Sequence, residues 1–213
     1  MSSAPILPEV DPAPPAARIR SRLPVPLRFA DGFETTADVL TFDGLVDGRE
    51  HLALRLGRPG TDVPLVRLHS ECLTGDVLGS QRCDCGPQLR EAVERITEQG
   101  GYLLYLRQEG RGIGLYAKLD AYVLQDAGLD TYEANIALGY DADARDYTVA
   151  AQMLTALAQP EVRLLSNNPD KAAQLEALGV AVVARVPTGV HLSPVNGHYL
   201  ATKAARGAHS LQL

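Results

Sequence analysis

Cys72, Cys83 and Cys85 are the only cysteines in the chain, and they fall within 14 residues in the spacing C-x10-C-x-C. An odd number cannot pair completely within one chain. Cysteines that merely fill a core behave as small apolar residues and scatter through it. These three sit instead among His69, Ser70, Glu71, Thr74, Asp76, Arg82 and Asp84. Thiolates gathered in polar surroundings suit zinc; the alternative is a group of buried thiols. The ligand count would set the chemistry. Four protein ligands close a structural zinc site, whereas three leave a position for water, whose pKa zinc lowers to roughly 7. His69 is near enough in sequence to be a fourth ligand, so spacing alone leaves both forms open.

Two further stretches could handle an anion. Arg107-Gln-Glu-Gly-Arg-Gly-Ile-Gly114 lies between an expected strand and an expected helix. Glycines there let backbone N–H groups approach a ligand, a helix N-terminus favours negative charge, and the arginines could clamp phosphate oxygens. The pattern matches neither common phosphate-loop motif, and a plain strand-to-helix turn with solvated arginines accounts for it equally well. Ser166-Asn-Asn-Pro-Asp-Lys171 has the same placement, where Ser or Asn most often serves only as a helix cap. Two loops at strand C-termini in one α/β sheet do tend to face one crevice. Asp143-Ala-Arg145-Asp146 precedes another expected helix, and capping is again the simpler reading.

The elements that must position these residues alternate along the chain. Strands are expected at 39–42, 52–56, 63–69, 102–106, 162–165 and 180–186. Helices are expected at 87–99, 115–127, 146–158 and 169–178, several of them stopped by glycine, with a helical tail at 199–205. The fold class is therefore α/β, a mixed sheet flanked by helices, with a more β-rich N-terminal half. Residues 1–26 hold seven of the 14 prolines and lack apolar periodicity, so 1–28 reads as a disordered Pro-rich arm and 29–213 as the folded domain. No apolar run approaches the roughly 20 residues of a membrane span, and no signal peptide is visible, which points to the cytoplasm. A net charge of −6 argues against a broad nucleic-acid surface but not against a small anionic ligand.

Taken together, the segments Arg67-Leu-His-Ser-Glu-Cys-Leu-Thr-Gly-Asp76, Arg82-Cys-Asp-Cys-Gly86, Arg107-Gln-Glu-Gly-Arg111, Ala121-Tyr122, Asp130-Thr131, Glu133-Ala-Asn135, Leu138-Gly139, Asp143-Ala-Arg-Asp146 and Asn167-Asn-Pro169 closely resemble the GTP cyclohydrolase II family. The likeness is collinear from about residue 36 to about residue 203. It implies zinc-dependent hydrolysis of GTP to 2,5-diamino-6-(5-phospho-ribosylamino)pyrimidin-4(3H)-one, with release of formate and pyrophosphate, as the first step of riboflavin biosynthesis. It further implies Mg²⁺ with the triphosphate, a homodimer, and neither a nucleic-acid nor a membrane partner. By the same resemblance Cys72, Cys83 and Cys85 bind one zinc per chain. Arg67, Leu68, His69, Ser70, Glu71, Gln88, Glu109, Gly110, Arg111, Thr131, Ser166 and Lys171 fall on GTP-contacting positions. Asp143 falls on a proton acceptor, Arg145 on a nucleophile and Tyr122 on a tyrosine near the purine. Ser166 stands where the family commonly has threonine, keeping a hydroxyl. Glu133 and Gln88 are candidates to pair with guanine's N1–H and 2-amino group. An arginine nucleophile is chemically awkward, because guanidinium stays protonated at neutral pH. The family often carries a fused dihydroxybutanone-phosphate synthase domain; the residues before Phe29 are too few for one, so a monofunctional chain is expected.

Overall fold

A computed structural model describes residues 16–193, apart from 59, 61, 62 and 142, together with 195 and 196. One seven-stranded sheet organises it. The strands are β1 (Arg18–Arg28), β2 (Glu34–Asp43), β3 (Leu52–Leu56), β4 (Leu65–Ser70), β5 (Gly101–Leu106), β6 (Glu161–Leu165) and β7 (Ala181–Val186), in the order β1-β2-β3-β5-β4-β6-β7. The helices are α1 (Leu73–Asp76), α2 (Cys85–Gln99), α3 (Leu115–Asp126), α4 (Thr131–Ala137), α5 (Thr148–Ala156) and α6 (Pro169–Ala177), with a short 3₁₀ turn at Glu109–Gly112. β1, β2, β3 and β5 pair antiparallel, while β5, β4, β6 and β7 pair parallel. The expected mixed α/β sheet flanked by helices, with a more β-rich N-terminal half, is the fold observed, and the pairing in that half is antiparallel.

The parallel strands are near-continuous apolar runs because helices cover both faces. On one face Ala92, Val93 and Ile96 of α2 pack on Leu56, Leu65, Leu103 and Leu165. On the other, Met153 and Leu154 of α5 and Leu175 of α6 pack on Val66, Leu68, Leu104 and Leu164. Each fully buried Leu or Ile contributes on the order of 1.5–3 kcal/mol. These two layers fix the strand ends on which the polar residues sit.

The expected arm is corrected over Arg18–Arg28. These residues form β1, an edge strand paired with β2 from Arg18↔Asp43 to Arg28↔Glu34. Pro24 and Pro26 are tolerated because an edge strand directs alternate N–H groups away from its single neighbour. Residues 1–15 and the expected helix at 199–205 lie outside the described residues. Among the described residues no helix is long and apolar enough to cross a membrane.

Candidate functional site

β4 and β6 are parallel neighbours, but the chain leaves them in opposite directions: β4 leads through α2 to β5, and β6 leads through α6 to β7. Ligand crevices of open α/β sheets form at such a switch, beyond the strand C-termini. Ser70–Cys72 and Ser166–Asn168 lie there, on the wall of a cleft of about 1180 Å³, including space open to solvent. That is the size class of small-molecule sites.

The three cysteines meet in this cleft. Cys72 precedes α1 and Cys85 begins α2, so the short loop between the two helices folds the thiols together. Their Sγ atoms all lie within 4.8 Å of one another, and Cys72 and Cys83 are 3.7 Å apart. Tetrahedral zinc with Zn–S bonds near 2.3 Å requires S···S separations of about 3.8 Å, so the donors fit a divalent metal. As free thiols they share charge unevenly. Hydrogen bonds from Cys83 and Cys85, then the Lys118 ammonium, hold the Cys72 thiol far below its ordinary range. The same bond to Cys72 pushes Cys83 up to about 11 and Cys85 well above its usual value.

His69 is not a fourth member of the cluster. Among the described residues the metal-ligating group is the three thiols alone; His69 Nε2 donates to the Asp76 carboxylate at 3.0 Å, and its Nδ1 is buried without a partner there. Asp76 also accepts from the Cys72 backbone N–H and the Tyr105 hydroxyl, pinning the cysteine loop beneath β4. Burial outweighs the Asp76 contact and lowers the His69 pKa, keeping the ring neutral.

Gly75 in α1 makes the cluster sterically possible. A Cβ there would lie 2.8 Å from Cys83 Sγ, 3.0 Å from Cys85 Cβ and 3.1 Å from Cys72 Sγ. Gly75→Ala is therefore expected to bind metal well below the wild-type stoichiometry while remaining folded. Elemental analysis beside circular dichroism checks this, and unchanged metal content would contradict it.

Cations crowd the rest of the wall. Arg67, Arg82, Arg111, Lys118, Arg145 and Lys171 line the cleft against two carboxylates, Glu71 and Glu109, in a chain of net charge −6. Arg67 is 6% exposed, and its Nη groups donate to the Leu165 carbonyl at 3.0 Å and to Gln88 Oε1 at 2.7 Å. Its Nε, like Nη1 of Arg111, is buried without a hydrogen-bond partner among the described residues. Arg111 holds a left-handed backbone, φ 61°, and lies over the Tyr132 ring at 4.3 Å. Such strain in a non-glycine residue persists only where its surroundings enforce it.

His69, Ser70, Gln88, Gly110, Thr131 and Ser166 also line the cleft. Several candidates are committed to the scaffold. Glu71 accepts from Arg107 Nε, and Glu109 accepts from the Leu73 backbone N–H, tying the 3₁₀ turn to the cysteine loop. Asn168 caps α6 through the Asp170 N–H, as the simpler sequence reading has it. Ser166 Oγ accepts from the Asn168 N–H.

Two of the expected contacts lie away from the lining. Leu68 is fully buried in the core and does not line the cleft; its carbonyl accepts from Lys171 Nζ at 2.7 Å and so aims that lysine. Glu133 is exposed and lies outside the lining, because Asp130-x-x-Glu133 is the capping box of α4. Its carboxylate accepts from the Asp130 N–H at 3.1 Å.

Tyr122 faces the cleft beside the thiols, with Arg82 4.8 Å and Lys118 5.7 Å from its ring centroid. Burial raises its pKa despite the nearby ammonium, so the phenol keeps its proton at neutral pH. Lys118, one turn earlier on α3, was invisible as a functional candidate in the sequence. The available signal was a lysine on the helix face that carries the buried Ala117 and Ala121.

Asp143 is exposed and lies outside the lining, clasped by Arg145. Arg145 Nε donates to Asp143 Oδ1 at 2.8 Å, and its Nη2 donates to Oδ2, a two-point clasp. Burial pushes the Asp143 carboxyl up, but the hydrogen bonds and charge of Arg145, with Arg111 behind it, outweigh this and hold it below its ordinary value.

Comparison with known proteins comes to the same place. A family model described as GTP cyclohydrolase II matches residues 22–187. The chain is 52% identical over 179 residues to GTP cyclohydrolase-2 of Vibrio parahaemolyticus, covering 83% of this chain and 90% of that protein. It is 54% identical over 174 residues to GTP cyclohydrolase-2 of Pectobacterium atrosepticum, covering 81% and 88%. It is 52% identical over 180 residues to riboflavin biosynthesis protein RibBA of Bacillus cytotoxicus, covering 84% of this chain and 45% of that longer protein.

Proposed function

The chain belongs to the GTP cyclohydrolase II family, and from that premise we propose that this cleft hydrolyses GTP to the 2,5-diamino-6-ribosylamino-pyrimidinone 5′-phosphate, releasing formate and pyrophosphate for riboflavin biosynthesis. The observation that carries the reading is the meeting, in one cleft, of a three-thiol cluster with buried arginine N–H donors that have no partner among the described residues. A purine ring and a triphosphate are the two halves of one substrate, and each needs one of these features. The proposal extends to a homodimer acting in the cytoplasm, with β1 part of the catalytic domain.

Cys72, Cys83 and Cys85 would hold zinc. When bound, zinc supplies a Lewis acid that acidifies water for attack on the imidazole ring, and Mg²⁺ arriving with the triphosphate offsets phosphate charge. The protein's own groups do the rest. Arg67, Arg111 and Lys171 neutralise the anionic chain, and the scaffold contacts of Arg67 and Lys171 hold them in place before substrate arrives. Tyr122, protonated, donates a hydrogen bond at the opening ring. Arg145 serves as a fixed cation at the phosphate undergoing displacement. Its clasp with an ionised Asp143 favours the protonated guanidinium and opposes its use as a nucleophile.

Incubation with GTP, Zn²⁺ and Mg²⁺, followed by mass identification of products, tests the reading. Formate, pyrophosphate and the deformylated pyrimidine are expected. A product that keeps the formyl group would mark a partial hydrolase, and no turnover of GTP would refute the proposal. ATP should be a worse substrate by about 10⁴-fold in kcat/KM, because a site built around guanine's polar edge leaves buried groups unpaired against adenine. Comparable values for the two nucleotides would contradict the assignment.

A further inference from the structure

Lys118 reaches the thiol cluster from α3 and is only 8% exposed. Its Nζ donates to Cys72 Sγ at 3.2 Å, Thr74 Oγ1 at 2.9 Å and Glu109 Oε1 at 2.8 Å. An ammonium has three N–H donors, and here all three are spent. Two acceptors lie on the cysteine loop and α1, and the third on the 3₁₀ turn that carries Arg111. A divalent cation on three thiolates leaves a surplus negative charge, and Glu109 adds another. In a buried site that charge is costly unless a cation sits against it.

Resting on the zinc reading above, we propose that Lys118 is a positioning residue of the metal centre: it fixes Cys72 Sγ, offsets the surplus charge of the three-thiolate set, and so governs how tightly the metal is retained. The competing role is simpler, a counter-ion for Glu109 and nothing more. The sulfur contact separates the two, because only the proposed role acts on the ligand. Partners that hydrogen-bond metal ligands commonly change affinity by 10- to 100-fold.

The test compares zinc-loaded wild type, Lys118→Met, Glu109→Gln and the double variant, each checked for folding by circular dichroism. Zinc transfer to a chromogenic chelator is measured in each. Lys118→Met should lower zinc affinity by about 10- to 100-fold. The double variant removes both charges, so it guards against misfolding from an unpaired Glu109, and it should show the same loss. With Co²⁺ in place of zinc, loss of the N–H···S bond should move the thiolate-to-metal charge-transfer band to lower energy in both Lys118 variants. Wild-type retention in the double variant, or an unmoved cobalt band, would reduce Lys118 to a partner of Glu109 and overturn the proposal. A wild-type protein that takes up neither metal would refute the metal-site reading itself, a distinct result.

Discussion

Cys83→Ser is expected to release no measurable formate from GTP and to lose most of the roughly one zinc per chain that the wild type should hold. Serine is nearly isosteric with cysteine, but its hydroxyl does not ionise near neutral pH and is a poor partner for a borderline-soft metal. Two thiols would remain, 3.7 Å no longer separating a ligand pair at Cys72 and Cys83. The fold should survive, because Cys83 sits in the loop between α1 and α2 rather than in either packed layer. Zinc at full stoichiometry in a Cys83→Ser, Cys85→Ser double variant, measured by elemental analysis, would show that the thiols are not the ligands.

Arg145→Ala should act at the other end of the substrate. Loss of one fixed donor aimed at developing charge costs about 10²–10³ in kcat, and pyrophosphate release should fall by that factor. The variant also leaves Asp143 without its clasp, placing a bare carboxylate near the phosphates. Arg145→Lys keeps the charge but loses the two-point geometry, so it should recover activity only in part. Full activity in the lysine variant would mean that charge alone suffices. Metal content should be unchanged in both, since Arg145 is not a member of the thiol cluster.

How much of this was legible in the sequence depends on where the determining contacts lie. β5 and α2 were readable because an apolar run and a 3.6-residue face are local signals, and Gly100 closes the helix. The thiol cluster was readable because residue type and spacing both pointed to metal chemistry. β1 was not, because its prolines are acceptable only on an edge strand, and edge position is a property of the whole sheet. The capping role of Glu133 is a local D-x-x-E signal, but only the folded chain shows its carboxylate turned to the Asp130 N–H at the start of α4. That His69 stays outside the thiol group depends on how the chain folds, with Asp76 at the end of α1 holding its Nε2, and spacing alone does not report it. Lys118 and the grip of Arg67 on the Leu165 carbonyl join segments 46 and 98 residues apart, so no local pattern reports them.

The central claim is that the thiol cluster serves the ring while Arg145 serves the phosphates. Parallel quantification of formate and pyrophosphate from GTP in Cys83→Ser and Arg145→Ala tests it most directly. The account predicts a split: Cys83→Ser makes pyrophosphate and GMP without formate, whereas Arg145→Ala loses pyrophosphate, with formate following only if ring opening depends on the phosphate step. Loss of both products in equal proportion in both variants, with no GMP, would contradict it and show the site to act as one inseparable unit.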